Sequence, residues 1–221
     1  MKKQFLLLVS ICPFFSLLAC NTPTENITEK STVLTEKQIE KEGLKKAYFA
    51  SGCFWCVEAV FESVKGVKEA VSGYSGGDKA NPTYREVSSG QLKHAEAVEV
   101  IYDEKQVSFE TLVKVFFGSQ DPTTPNQQGP DRGPQYRSIA FYTNPSEKQI
   151  IENYITELTD KKVFNAPIVT EVVKFEKFWN AEDYHQDYER RNPNVPYVRS
   201  VSVPRLNRFK EKFPELLKEN H

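Results

Sequence analysis

The sequence predicts a single α+β domain that follows a polar N-terminal stretch. Short apolar runs alternate with helix-like patterns, yet the strands and helices do not repeat as βαβ units of even length. No change in composition after residue 43 marks a second domain, and 39% hydrophobic residues suffice for one core. A formal net charge of -1 leaves no Lys/Arg excess to neutralise phosphates, which argues against a nucleic-acid partner.

The first residues have the composition of a cleaved signal rather than of a fold. Two lysines precede an apolar run of roughly 14 residues, which is short for spanning about 30 Å of hydrocarbon. The run ends in Leu17-Leu18-Ala19-Cys20, which resembles a bacterial lipobox. We therefore expect residues 1–19 to be a lipoprotein signal peptide and Cys20 to become the lipidated N-terminus, anchored in a membrane. An ordinary signal peptide with a chance cysteine is the alternative.

Residues 20–43 are polar and poor in apolar side chains, which predicts a flexible tether to the folded domain at 44–221. The lipobox implies a bacterial cell envelope location outside the cytoplasm, facing the periplasm or the surface. The tether and the balanced charge are compatible with a monomer, which is the expected state.

The first elements of the domain surround a short turn. Residues 46–50 form an apolar strand that ends at Ser51-Gly52. Apolar residues then recur with helical spacing over 53–64, and a second strand is predicted at 67–74.

The middle of the domain combines a buried strand with a long loop. Residues 95–102 read as a third strand, and Ser108 is a suitable cap for a helix at 109–118. Residues 119–136 hold four prolines and two glycines, too many for regular structure. A loop of this length in a compact domain is usually functional.

The last third continues the alternation of strands and helices. A strand at 137–142 precedes a helix at 145–159, and a further strand is predicted at 168–175. A helix is expected at 181–190, and an amphipathic helix at 204–218 ends the domain.

The two thiols of the domain, Cys53 and Cys56, form a Cys-x-x-Cys at the start of the first predicted helix. There the helix dipole and the unpaired N–H groups would stabilise a thiolate and lower its pKa. Residues three apart on a helix lie close enough for a disulfide after modest adjustment.

Three kinds of site compete for this pair. Zinc would need two more ligands, for which His94 and His185 are the only internal histidines, and the two bulky aromatics between the cysteines fit a closed zinc site poorly, so no metal is expected. A structural disulfide over so short a loop would stabilise little. Redox or nucleophilic chemistry is favoured, either thioredoxin-like thiol exchange or an oxygen transfer that also needs a carboxyl proton donor and hydroxyl groups.

Such groups occur in a series of motifs, and over residues 46–200 the chain resembles A-type peptide methionine sulfoxide reductases. The motifs, in the order of that family, are Gly52-Cys53-Phe54-Trp55-Cys56-Val57-Glu58-Ala59-Val60-Phe61, Gly73-Tyr74-Ser75-Gly76-Gly77, Asn81-Pro82-Thr83-Tyr84, His94-Ala95-Glu96, Asp121-Pro122-Thr123, residues 128–138 and Ala181-Glu182-Asp183-Tyr184-His185-Gln186.

The resemblance implies that residues 44–221 are the catalytic domain of a peptide-methionine (S)-S-oxide reductase. Its substrate would be the S epimer of methionine sulfoxide, free or in proteins. The implied fold is a single two-layer α/β sandwich with a mixed sheet and a ferredoxin-like core, and no organic cofactor or metal is implied.

The resemblance also assigns roles to individual residues. Cys53 is the expected nucleophile and Glu96 the general acid, while Tyr84 and Tyr136 are expected to bind the sulfoxide oxygen. Phe54 and Trp55 would enclose the methyl group, and Asp131 would bind the substrate backbone or organise the site.

The chemistry asks for the same residue types. A sulfoxide sulfur becomes electrophilic when its oxygen is protonated or strongly hydrogen-bonded, and burial among aromatics would keep Glu96 protonated. Thiolate attack would then yield methionine and a sulfenic acid.

Other roles for these side chains remain open from the sequence. The two aromatics after Cys53 are also compatible with plain core, Tyr84 with a surface position, and Glu96 with a solvent-facing one. His94 and His185 are expected to be structural and to donate hydrogen bonds that hold loops.

Cys56 stands where many members of that family carry glycine, and residues 57–221 contain none of the C-terminal recycling cysteines. We therefore hypothesise a Cys53–Cys56 disulfide that a thioredoxin-like or other external dithiol reduces. Direct reduction of the sulfenic acid by a small thiol is the alternative, with Cys56 a buried small hydrophobe. A thioredoxin-like disulfide oxidoreductase and a non-catalytic lipoprotein binding module are the competing functions.

Overall fold

The computed structural model describes residues 33–219, so the predicted signal peptide and Cys20 lie outside the described residues. In this part of the chain, strands β1–β8 are Lys45–Ala50, Val67–Ser75, Ala95–Tyr102, Gln127–Gln128, Asp131–Arg132, Ile139–Tyr142, Glu171–Lys174 and Phe178–Asn180. Helices α1–α7 are Glu36–Glu42, Phe54–Glu62, Tyr84–Ser88, Phe109–Gly118, Pro145–Asp160, Tyr188–Arg191 and Val203–Lys212.

The main sheet has the strand order β7-β6-β1-β3-β2-β8. Its pairs are antiparallel except for the parallel pair of β6 and β7. The succession β1-α2-β2-β3-α4-β6 with β6-β1-β3-β2 as the inner strands is the split βαβ arrangement of ferredoxin-like folds. The expected α+β fold with a mixed sheet is therefore confirmed.

The two faces of the sheet carry different side chains because residues alternate along each strand. On one face Phe49 of β1 packs between Phe61 of α2 and Phe116 of α4, with ring centroids 5.1 Å apart in both pairs. Tyr48 of β1 points to the opposite face, where it stacks on Phe175 at 3.6 Å. Helix α2, which begins directly after Cys53, therefore covers the Phe49 face of the sheet.

Helix α1 lies within the segment that was expected to be a flexible tether. Thr35 and Gln38 form a reciprocal capping box, and Gly43 ends the helix in a left-handed conformation. Ile39 is buried against Leu44 and other apolar residues of the domain. Residues 36–42 are thus part of the folded domain, which begins earlier than residue 44.

The helix expected at 181–190 is interrupted. A short 3-10 turn at Asp183–His185 precedes α6, and between them Asp187 adopts φ 54° and ψ 28°. The interruption has tertiary causes: the Asp187 N–H donates to the Glu58 carboxyl, and the Gln186 side chain bonds the Ser72 backbone in both directions. These long-range bonds outweigh the local helical pattern.

Other predicted elements are shorter than expected. The terminal helix ends at Lys212 because Pro214 cannot continue it, and a 3-10 turn follows at Pro214–Leu216. The strand expected at 168–175 is reduced to β7. The loop at 119–136 contains only the two-residue strands β4 and β5 and a 3-10 turn at its end, as its prolines predict.

Helices α1 and α3 and the edge strand β8 were absent from the prediction, as were the two-residue strands β4 and β5. Across residues 33–219, no helix is both long and apolar enough to cross a bilayer.

Candidate active site

The turn between β1 and α2 presents Cys53 at the helix N-cap. Gly52 has φ +76°, and a Cβ there would lie 2.5 Å from Gln128 Cβ, so the turn requires glycine. The Gly52 N–H donates to the Tyr136 carbonyl at 3.1 Å. This bond brings the long loop, and Tyr136 with it, to the turn that carries Cys53.

Glu96 lies on β3, on the sheet face that α2 covers, and is 2% exposed. One of its carboxyl oxygens accepts a hydrogen bond from the Phe54 N–H at 3.0 Å. Burial raises the pKa of Glu96 to about 8, against the opposing effect of that bond. Glu96 is thus predominantly protonated at neutral pH, next to the residue that follows Cys53, and it does not face solvent.

The two thiols are free and buried, with Cys53 6% and Cys56 2% exposed. The hydrogen bond from Cys53 lowers the pKa of Cys56 to about 6. Burial, followed by the contacts with Cys56 and Glu96, raises the pKa of Cys53 well above its usual value. At neutral pH the pair therefore holds one proton and one negative charge.

The expectation that the helix N-terminus lowers the pKa of Cys53 is wrong for the free protein. Cys53 lies at the N-cap rather than within the first turn, and the first helical N–H, that of Phe54, is taken by Glu96. The dipole is a local effect, whereas burial and neighbouring acidic groups depend on the whole fold.

The expected substrate-binding aromatics lie together beside Cys53. The Phe54 ring is buried and lies 5.0 Å from the His185 ring and 6.3 Å from the Tyr84 ring, between centroids. The half-buried Trp55 indole stacks on Tyr188 at 3.7 Å. Phe54 thus packs as core, while the half-buried Trp55 keeps part of its ring accessible directly after it in the chain.

His185 orients the Trp55 ring. The indole Nε1–H donates to His185 Nδ1 at 3.1 Å, so this histidine accepts the bond rather than donating it as expected. Burial lowers the pKa of His185 to about 4, which keeps the ring neutral with its proton on Nε2. His94 is fully buried against Gly77, where a Cβ would come within 2.3 Å of its Nδ1.

Tyr84 and Tyr136 reach the site from two different segments. Tyr84 begins α3 and is held by its N–H, which donates to Glu182 at 2.9 Å. Tyr136 ends the 3-10 turn of the long loop. Burial raises the pKa of Tyr84 to about 12 and raises that of Tyr136, and for both the Glu96 charge is the next contribution. Both phenols therefore remain protonated donors.

Asp131 connects to the thiols through a residue that the sequence analysis missed. The Tyr197 hydroxyl donates to the Asp131 carboxylate at 2.6 Å and lies 3.8 Å from Cys56 Sγ. Burial raises the pKa of Asp131, and the bond from Tyr197 opposes this shift. No periodicity or motif in 191–203 marks Tyr197, which lies one residue before a π-helical turn at Val198–Ser202.

A group of three carboxylates lines a pocket together with Trp55. Glu58, Glu62 and Asp187 have ligand atoms within 4.8 Å of one another, and neither thiol belongs to this group. Burial raises the pKa of Glu58 well above its usual value and that of Glu62 to about 7. The Glu58 carboxyl accepts hydrogen bonds from the Ser72 hydroxyl and from the Asp187 N–H, which suits a structural role.

Comparison with known proteins matches residues 45–217 to the family model described as peptide methionine sulfoxide reductase. Peptide methionine sulfoxide reductase MsrA 2 of Synechocystis is 48% identical over 177 residues, 80% of this chain and 83% of that protein. MsrA of Trichodesmium erythraeum is 46% identical over 74% of this chain and 93% of that protein.

Solved structures give the same result. Methionine sulfoxide reductase A of Corynebacterium diphtheriae is similar with a TM-score of 0.62 and 36% identity, over 68% of this chain and 76% of that chain. Mxr1 of Saccharomyces cerevisiae in its reduced form has a TM-score of 0.63 and 30% identity, over 68% of this chain and 87% of that chain. The chain therefore belongs to the peptide methionine sulfoxide reductase family, a family of oxidoreductases.

Proposed function

We propose that this protein reduces the S epimer of methionine sulfoxide, in oxidised proteins or free, with Cys53 as the nucleophile. The observation that carries the proposal is the buried, protonated Glu96 carboxyl, bonded at 3.0 Å to the N–H of the residue after Cys53. A protonated carboxyl next to a thiol supplies the acid that sulfoxide reduction needs and that disulfide exchange does not.

Oxygen transfer begins with a proton transfer between the two thiols. The Cys53 proton passes to the Cys56 thiolate, and the Cys53 thiolate attacks the sulfoxide sulfur. Glu96 donates its proton to the sulfoxide oxygen, while Tyr84 and Tyr136 donate hydrogen bonds to it. The oxygen leaves the substrate as Cys53 becomes a sulfenic acid, so the substrate is reduced to methionine and Cys53 is oxidised.

Cys56 resolves the sulfenic acid from one helical turn away. Its N–H already bonds the Cys53 carbonyl at 3.2 Å, so the two residues share one tight turn. Attack of the Cys56 sulfur on the Cys53 sulfenic sulfur forms a disulfide, and the hydroxyl leaves as water. An external dithiol, thioredoxin-like in its chemistry, then supplies two electrons and restores both thiols.

The proposed function is tested by incubating the protein with dithiothreitol and each sulfoxide epimer separately, while methionine is measured. We expect methionine from the S epimer and none from the R epimer. A thioredoxin-like oxidoreductase would instead reduce insulin disulfides and leave both epimers intact. A binding module would bind oxidised peptides and release no methionine.

The methionine-release step should have a bell-shaped pH dependence. The rate rises through about pH 6 because the thiol pair must first lose a proton, and it falls above about pH 8 because Glu96 must keep its own. Single-turnover kcat/KM, measured without added thiol, tests this expectation. A rate that stays constant from pH 7 to strongly alkaline pH would contradict a protonated Glu96.

We infer further that the mature protein is a monomeric lipoprotein of a bacterial cell envelope, anchored through lipidated Cys20. The lipobox-like Leu17-Leu18-Ala19-Cys20 supports this inference, and two or more acyl chains suffice for stable anchoring. In bacteria that express Cys20→Ala, we expect the protein to leave the membrane fraction. A distribution between membrane and soluble fractions equal to that of the unchanged protein would refute lipidation at Cys20.

A further inference from the structure

Arg205 of α7 is a buried cation that has no carboxylate partner. Its side chain donates to the Ser119 carbonyl at 2.7 Å, the Ser51 carbonyl at 2.9 Å and Ser51 Oγ at 3.0 Å. All three acceptors are neutral, and Arg205 is only 6% exposed. Within residues 33–219 no carboxylate forms an ion pair with it. A buried charge without such a partner requires another source of compensation.

The hydrogen bonds of Arg205 hold its charge next to the turn at residues 51–53, which carries Cys53. Two of its three hydrogen bonds go to Ser51, which precedes Gly52 and Cys53. A Cβ built on Gly52 would lie 3.7 Å from one guanidinium nitrogen. Arg205 therefore ties the C-terminal helix to the turn that carries the thiols.

The charge of Arg205 favours ionisation of the Cys56 thiol. The hydrogen bond from Cys53 makes the largest contribution to the lowered pKa of Cys56, and the charge of Arg205 is the leading Coulombic contribution. Asp131 and Glu189 also feel this charge, but burial raises the pKa of both carboxyls. Of these three groups, only the thiol is shifted toward its ionised form.

The other groups that act on Cys56 come from several elements. Cys53 hydrogen-bonds it at the start of α2, the Ser202 and Tyr197 hydroxyls contact it from the C-terminal segment, and Glu96 of β3 interacts with its charge. Ser202 in turn donates to Glu189 of α6. Among the largest influences on the pKa of Cys56, Arg205 supplies the positive charge.

We propose that Arg205 is a positioning residue whose buried charge holds Cys56 as a thiolate, ready to accept the Cys53 proton and later to form the disulfide. In the second step the Cys56 sulfur, which carries the proton taken from Cys53, attacks the Cys53 sulfenic sulfur, and that proton is the one that converts the departing hydroxide to water. An S–S bond forms, the S–O bond breaks, and the hydroxide takes a proton and leaves as water. The role in resolution rests on the proposed function, whereas the stabilised thiolate does not.

The test compares Arg205→Gln, which keeps a donor but removes the charge, with Arg205→Lys, which keeps the charge. Arg208→Gln is the matched control, since Arg208 is exposed on the same helix. Ionisation of the reduced thiol pair is followed by thiolate absorbance. We expect the pH midpoint of thiolate formation in Arg205→Gln to rise by about one pH unit or more. The midpoints of Arg205→Lys and Arg208→Gln should stay close to that of the unchanged protein.

A single-turnover assay separates this role from a merely structural one. With the S epimer at neutral pH, Arg205→Gln should form its disulfide about tenfold more slowly, and the deficit should disappear at alkaline pH, where Cys56 ionises unaided. Equal midpoints for Arg205→Gln and the unchanged protein, or equal shifts for the Gln and Lys variants, would overturn the proposal.

Two further measurements keep the result interpretable. If Arg205→Gln does not fold, Cys53→Ser replaces it: its single Cys56 thiol should titrate below the usual value of about 8.5, and a midpoint at or above that value would overturn the proposal. If neither sulfoxide epimer is reduced, the proposed function fails, while the thiol titration still decides the role of the Arg205 charge.

Discussion

Replacement of Glu96 by glutamine is expected to slow methionine release by about 10²–10⁴-fold, while the dissociation constant for the sulfoxide stays within a few-fold. The amide preserves the size of the side chain and an acceptor for the Phe54 N–H, so the N-terminus of α2 keeps its bond. It cannot supply a proton to the departing oxygen. Single-turnover rates and equilibrium binding of the S epimer distinguish the two effects.

Glu99→Gln is a matched control for this substitution. Glu99 lies three residues further along β3 on the opposite face of the sheet and pairs with Lys46 at 3.3 Å, away from the thiols. We expect its methionine-release rate to equal that of the unchanged protein. Near-normal turnover in Glu96→Gln would refute the acid role, and a large loss in Glu99→Gln would show that the assay reports folding.

The parts of the fold that could be predicted are those with strong local patterns. The central strand β3 has the predicted bounds because residues 95–102 are mostly apolar, are rich in β-branched side chains towards the end, and lie between the polar residues His94 and Asp103. The prediction of one helix at 181–190 was wrong because two residues in its middle form long-range hydrogen bonds. The Gln186 side chain bonds Ser72 and the Asp187 N–H donates to Glu58, both more than 100 residues earlier in the chain. Long-range hydrogen bonds of this kind leave no periodicity in the sequence.

The same division applies to the site. The residues assigned by motif, such as Tyr84, lie around the thiols as the resemblance implies. Tyr197 and Arg205 were missed because their contacts, with Cys56 and with Ser51 respectively, depend on the path of the C-terminal segment. The raised pKa of Cys53 was missed because a helix N-terminus can be recognised in sequence, whereas the burial that outweighs it cannot.

Cys53→Ser is expected to abolish methionine formation, whereas Cys56→Ser should complete one turnover and then lose its recycling by a protein dithiol. A serine hydroxyl is far too weak a nucleophile to replace the Cys53 thiolate. Without Cys56 the folded domain has no second thiol to attack the sulfenic acid, since residues 33–219 contain only Cys53 and Cys56. Steady-state turnover of Cys56→Ser with a thioredoxin-like dithiol should fall at least about tenfold.

Thiol counting after one equivalent of the S epimer gives the decisive comparison for Cys56. The unchanged protein should lose two thiols for each methionine released, because Cys53 and Cys56 end in one disulfide. Cys56→Ser should lose one thiol and hold a sulfenic acid that a dimedone-type reagent labels. Loss of a single thiol in the unchanged protein would instead mean that a small thiol reduces Cys53 directly. Cys56 would then act only as the buried proton acceptor that its lowered pKa allows.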